Sequence, residues 1–178
     1  MEILGKYIAA VLVVLGVIIG SSVISAGLFD EVTQERVEGI VNKFTSEVRE
    51  QGKITKSMYD AFINELDATG NIYKIEMVYT KNVIMPSDVE GTAVETDESF
   101  YTDDILAGIY RGAGDGGAAV DGSADGEVHF TAGSYFSMSV SNANKTWYQS
   151  IAGIFHIRSA AAPRIEVHHG GEIRDENW

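Results

Sequence analysis

The chain of 178 residues carries 26 acidic against 13 basic side chains, a net charge of −13, and no cysteine. A field of that sign repels nucleic acid and anionic lipid, which argues against a nucleic-acid-binding role. The lack of thiols excludes disulfides, thiolate metal sites and cysteine nucleophiles. The length suits one helix plus one domain of about 150 residues.

Tyr7 to Phe29 is free of charge and bracketed by Lys6 and Asp30. As a helix it spans roughly 35 Å, enough for a bilayer core of about 30 Å. Three readings compete: a cleaved signal peptide, a plain anchor, and a helix that packs on copies of itself. Ser25 or Ala26 could precede a cut. Against a signal peptide, the stretch is long and the residues before it hold only Glu2 and Lys6. Self-packing is favoured by two small-xxx-small pairs, Gly16 with Gly20 and Ser22 with Ala26. Such spacing lets backbones approach closely in lipid. Lys6 has no basic counterpart between positions 7 and 35, so the N-terminus is expected in the cytoplasm and the domain outside.

Asp30 to Gln51 has no proline, and Val37, Ile40, Val41, Phe44 and Val48 recur at helical spacing. The pattern predicts one helix from Tyr7 to Gln51, roughly 65 Å long, with Gly52 as its stop. The expected division is residues 1–29 as a membrane or filament-core segment and 30–178 as an external head.

Thr55 is expected to cap a second helix ending near Gly70, with Met58, Tyr59, Phe62, Ile63 and Leu66 inward. Tyr73, Ile75, Met77 and Tyr79 alternate as in a strand. Pro86 to Ser99 is acidic and reads as a loop. Asp103 to Arg111 reads as a short helix, and Gly112 to Gly126 as a loop with little to bury. Glu127 to Ser141 reads as one long strand or a bent pair, with Gly133 as a candidate bulge. Helical spacing returns at Trp147, Tyr148, Ile151, Ile154 and Phe155. Ile165, Val167 and Ile173 around Gly170–Gly171 suggest a closing hairpin. The expected fold is α+β: a long N-terminal helix, transmembrane in one half and amphipathic in the other. It packs on a head with short helices and about four antiparallel strands.

This plan resembles type IV pilins and their pseudopilin relatives. The segments GKITKSMYDAFINELDATGNIYKIEM, FYTDDIL, GSYFSMSVSN and HHGGEIRDENW are also similar to small Firmicutes proteins associated with Tad-type (Flp-like) pilus systems. The resemblance touches about half the chain. It implies a subunit resting in the inner membrane until a platform protein and an assembly ATPase draw it into a filament. There the apolar helices would form a central bundle. Two departures stand out. A typical pilin has glutamate as its fifth mature residue, whereas this chain has Gly5, with Glu2 as the nearby acid. No leader with a glycine before a cut is visible, so the sequence is either the mature form or not processed that way. Glu2 could pair with the terminal amine or Lys6 of a neighbour, or simply be solvated.

Other motifs carry weaker chemistry. Asp121, Ser123 and Asp125, with Gly126 following, match the first half of a calcium loop. The acid expected at the twelfth position is replaced by Ala132, so a flexible acidic loop is the competing reading. His168 and His169 are adjacent and on a strand would face opposite sides; His129 and His156 are isolated. Asn144-Lys-Thr146 fits a glycosylation sequon, but Asn144 or Thr146 also suits the cap of the following helix. No nucleophile elbow, phosphate loop, dinucleotide fingerprint or His-Glu-x-x-His occurs. Acid pairs such as Asp103–Asp104 and Glu172–Asp175 are common in so acidic a chain. The expected role is therefore a non-enzymatic, pilin-like filament subunit with Glu2, Lys6, Gly16, Gly20, Ser22 and Ala26 at the assembly interface. The alternative is a solitary single-pass protein whose external domain binds a partner or ligand.

Overall fold

The computed structural model describes residues 2–86, 93–111, 126–154 and 165–174. It begins with one unbroken helix, α1 (Glu2–Gln51), about 75 Å long. Gly52, at φ 63°, stops it in the left-handed conformation, and its N–H bonds back to the Val48 carbonyl at 2.9 Å. The upper half of α1 lies against the head through one stripe. Ala26, Asp30, Thr33, Val37, Ile40, Val41, Phe44 and Val48 are all buried, each three or four residues from another along one face.

A short strand, β1 (Lys53–Thr55), leads into α2 (Lys56–Asp67). Thr55 Oγ1 accepts the Met58 N–H at 3.2 Å, as a helix cap should. Tyr59, Phe62 and Leu66 point inward, and the Phe62 ring stacks on Phe44 with centroids 4.4 Å apart. Then follow β2 (Tyr73–Pro86), β3 (Ala93–Tyr101), α3 (Thr102–Arg111), β4 (Glu127–His129), β5 (Tyr135–Asn142), α4 (Trp147–Ile154) and β6 (Glu166–Glu172).

Four strands form one antiparallel sheet in the order β3-β2-β5-β6, and β1 pairs with β4 in a small second sheet. Met77, Tyr79, Phe136, Met138, Val140 and Val167 fill the sheet face turned to the core. The head is therefore α+β, a helix-backed antiparallel sheet as expected.

Three expectations are corrected. Residues 93–99, expected in a loop, belong to β3, which pairs with β2 along nine residues from Tyr101 to Ala93. Their acidic sequence fits an edge strand, where charge discourages pairing with another chain. Glu127 to Ser141 is not one long strand but two, β4 and β5. β4 and β5 belong to different sheets, and Gly133, at φ 79°, stands in the turn between them rather than in a bulge. Gly170–Gly171 is not a turn either. β6 runs straight through it, with Gly170 opposite Ser137 and Gly171 opposite Phe136. The reason is closeness: a Cβ on Gly170 would lie 2.9 Å from Ser137 Cβ and 3.1 Å from the Phe136 carbonyl oxygen. A Cβ on Gly171 would meet the Arg49 guanidinium, whose Nε donates to the Glu172 carbonyl at 3.0 Å. Gly171 lets β6 pass over the last turn of α1, and Gly170 lets it lie close on β5.

Candidate assembly interface

The lower half of α1 is bare. From Ile3 to Ile18 its side chains are exposed on every side, and among the described residues α1 is the one helix long and apolar enough to cross a membrane. Gly5, Gly16 and Gly20 have nothing within 4 Å of where a Cβ would sit, so each leaves a shallow notch open to an approaching helix. Ser21 and Ser22 donate their hydroxyls to the Val17 and Ile18 carbonyls at 2.6 and 2.9 Å. Their polarity is thus satisfied within the helix, as an apolar surrounding requires. Glu2 and Lys6 occupy the first two turns.

The two small-residue pairs have different fates. Gly16 and Gly20 lie on free surface. Ala26 does not, since only 1% of it is exposed, in the stretch of α1 that packs on the chain's own α4. The Ser22–Ala26 pair is therefore not an open crossing face, because the chain itself covers one end of it. Next to Ala26, a Cβ on Gly27 would sit 3.6 Å from the Tyr148 ring.

Asp30 is the residue that sequence reasoning missed. It is 3% exposed, and its Oδ2 accepts the Tyr148 N–H at 3.4 Å. That N–H belongs to the first turn of α4, where helix donors lack internal partners and the dipole favours an anion. Thr33, one turn on, gives its hydroxyl to the Phe29 carbonyl at 2.8 Å. The signal was present in the spacing of Ala26, Asp30, Thr33 and Val37, which continues the amphipathic stripe below its apparent start. α4 carries its own cap. Thr146 Oγ1 accepts the Gln149 N–H, and Gln149 Oε1 accepts the Thr146 N–H, each at 3.2 Å.

The remaining candidates are dispersed. Asp121, Ser123, Asp125 and His156 lie outside the described residues, as does Asp175. His168 sits 3.2 Å from Glu166 on one face of β6, while His169 takes the opposite face. His129 approaches Glu127 at 3.7 Å. Among the described residues no three metal-ligating side chains converge. Asn144 ties the start of β2 to the end of β5. Its Oδ1 accepts the Ile72 N–H at 3.1 Å and its amide donates to Asn71 Oδ1 at 3.1 Å.

An open groove of about 350 Å³ runs between α1 and α2 over Ile40, Phe44, Met58 and Phe62, and Lys43 bonds Glu65 at 2.7 Å beside it. Beyond it, Tyr110 donates to Asp60 Oδ1 at 2.7 Å, which holds the phenol proton up to about 12, with burial adding to the effect. None of these groups forms a nucleophile–base pair. What the described surface offers is apolar helix, not convergent polar chemistry. Comparison with protein-family models, with curated proteins and with solved structures returned no match to this chain.

Proposed function

We propose that this protein is a structural subunit of an extracellular pilus-like filament, held together by packing of its apolar N-terminal helices. The observation that carries the reading is the division of α1. One continuous helix serves as spine of the head in its upper half and is bare and apolar in its lower half. A bare half of that kind suits lipid before assembly and a helix bundle after it, because small-residue faces and apolar side chains serve both. The open notches at Gly16 and Gly20 supply the close crossings. The subunit would wait in the cytoplasmic membrane with its N-terminus inside. The similarity to pilins and Tad-type proteins further implies an inner-membrane platform and an ATPase as assembly partners.

The test is negative-stain microscopy of sheared surface material, with antibody to the head, from cells that express the protein together with their pilus machinery. Labelled thin filaments are the expected result. Label confined to the cell envelope would overturn the filament reading and leave a solitary anchored domain in its place.

A further inference from the structure

The contact between α1 and α4 fixes where the head stands relative to a bilayer. Twenty residues of helix cross a core of about 30 Å, so a span that starts at Tyr7, the first residue after Lys6, ends at Ala26. That is the level at which α4 takes hold, through Ala26, Gly27 and Asp30. Four large apolar side chains remain uncovered around this junction. Leu28, Phe29 and Val32 on α1 are 58%, 57% and 64% exposed, and Trp147 at the start of α4 is 61% exposed. From Glu31 upward the exposed positions of α1 are mostly polar, with Glu31, Glu35, Arg36, Glu38, Asn42 and Lys43, and Val32 is the large apolar exception.

Charge singles out the same part of the chain. No acidic residue occurs between Glu127 and Glu166, in a protein with 26 of them, while Lys145, Arg158 and Arg164 fall within that interval. α4 lies inside it, and Lys145, two residues before Trp147, is exposed. The α4 side of the junction thus adds no carboxylate to repel phosphate-bearing headgroups, and the acids there are the buried Asp30 and the exposed Glu31 of α1. A tryptophan with an apolar body and one N–H donor suits the layer where acyl chains meet headgroups.

We infer that the α1–α4 junction is a membrane foot: Trp147, Leu28, Phe29 and Val32 sit in the headgroup layer of the outer leaflet and set the depth of the resting subunit. The inference rests on the membrane-resident state in the proposed function. The foot would leave the lipid when the subunit enters a filament.

The test uses the full chain in phosphatidylcholine–phosphatidylglycerol vesicles with bromine at shallow or deep acyl positions. Trp178→Phe makes Trp147 the sole tryptophan. Its emission is expected to be blue-shifted and quenched more by shallow than by deep bromines. Emission at the wavelength of water-exposed indole with no quenching would overturn the foot. So would a blue shift without quenching, which would mean that another copy covers Trp147. A second variant, Leu15→Trp with Trp147→Phe and Trp178→Phe, reports on α1 alone and should respond to deep bromines. If Leu15→Trp is quenched and Trp147 is not, the foot fails and the membrane reading stands; if neither is quenched, the membrane reading itself fails.

Discussion

The two halves of α1 share one hydrogen-bond ladder and differ in everything outside it. The upper half buries a narrow stripe against the sheet, α2 and α4 and keeps charge on the opposite side. The lower half buries almost nothing within the chain and carries apolar residues all round. Most helical stability in a folded domain comes from packing of one face. By that measure the upper half is complete in the single chain, whereas the lower half has almost nothing to pack on within it.

Substitutions can separate the two halves. The largest effect is expected at Phe44, which lies on the upper stripe and stacks on Phe62. Phe44→Ala should cost about 3–5 kcal/mol of head stability, read by denaturant unfolding, while the protein stays in the membrane fraction. Gly170→Val should cost about 1–3 kcal/mol, because both a side chain and a backbone carbonyl stand where the new atoms must go. Gly171→Ala should cost less, since only the flexible end of Arg49 has to move. Equal losses from the two would show that the close β5–β6 approach is not the cause.

Thr146→Ala removes the α4 cap and should cost about 1 kcal/mol. It should also loosen α4 from Asp30, seen as faster amide exchange at Tyr148; unchanged exchange would detach the cap from the junction. A smaller effect concerns pH. Tyr110 holds its proton more tightly folded than unfolded, raised from 10.0 to about 12 by Asp60. Its contribution is therefore complete below pH 10 and lost as pH rises toward 12. The stability difference between the wild type and Tyr110→Phe should shrink across that window, and a difference flat with pH would refute the bond to Asp60. Smallest for the head are Gly16→Leu and Gly20→Leu, which should change its stability by no more than about 0.5 kcal/mol. Both variants should still insert into membrane yet form no filaments. Normal filaments from both would remove the lower half's packing role.

Much of the fold was legible because its signals are local. Thr55 as a cap, Gly52 as a stop and the stripe from Val37 to Val48 are each decided within a few residues. The alternation of Phe136, Met138 and Val140 likewise announces one buried sheet face. What was not legible depends on distant neighbours. The residues Thr96 to Ser99 look like a loop until β2 supplies their ladder. Gly170–Gly171 looks like a turn until Arg49 and Ser137 occupy the space beside it. Of the candidate interface, Gly16 and Gly20 could be picked from spacing alone. Ala26 could be told from a lipid-facing residue only by carrying the stripe of Val37, Thr33 and Asp30 down into the apolar segment, where composition alone marks no face. Asp30 was visible as the first charge after the span, but its role depends on α4, which lies more than a hundred residues away.

The unbroken course of α1 also has an angular consequence. At about 100° per residue, the direction midway between Gly16 and Gly20 lies roughly a quarter turn around the axis from the stripe that carries the head. With no proline or left-handed residue between them, the helix passes that angle on without a swivel. In the proposed filament, a neighbouring helix seated on the two glycines would therefore meet this chain from the side of its head-bearing stripe. Each head would stand off at a fixed bearing from its neighbour's contact, as treads stand off from the post of a spiral stair.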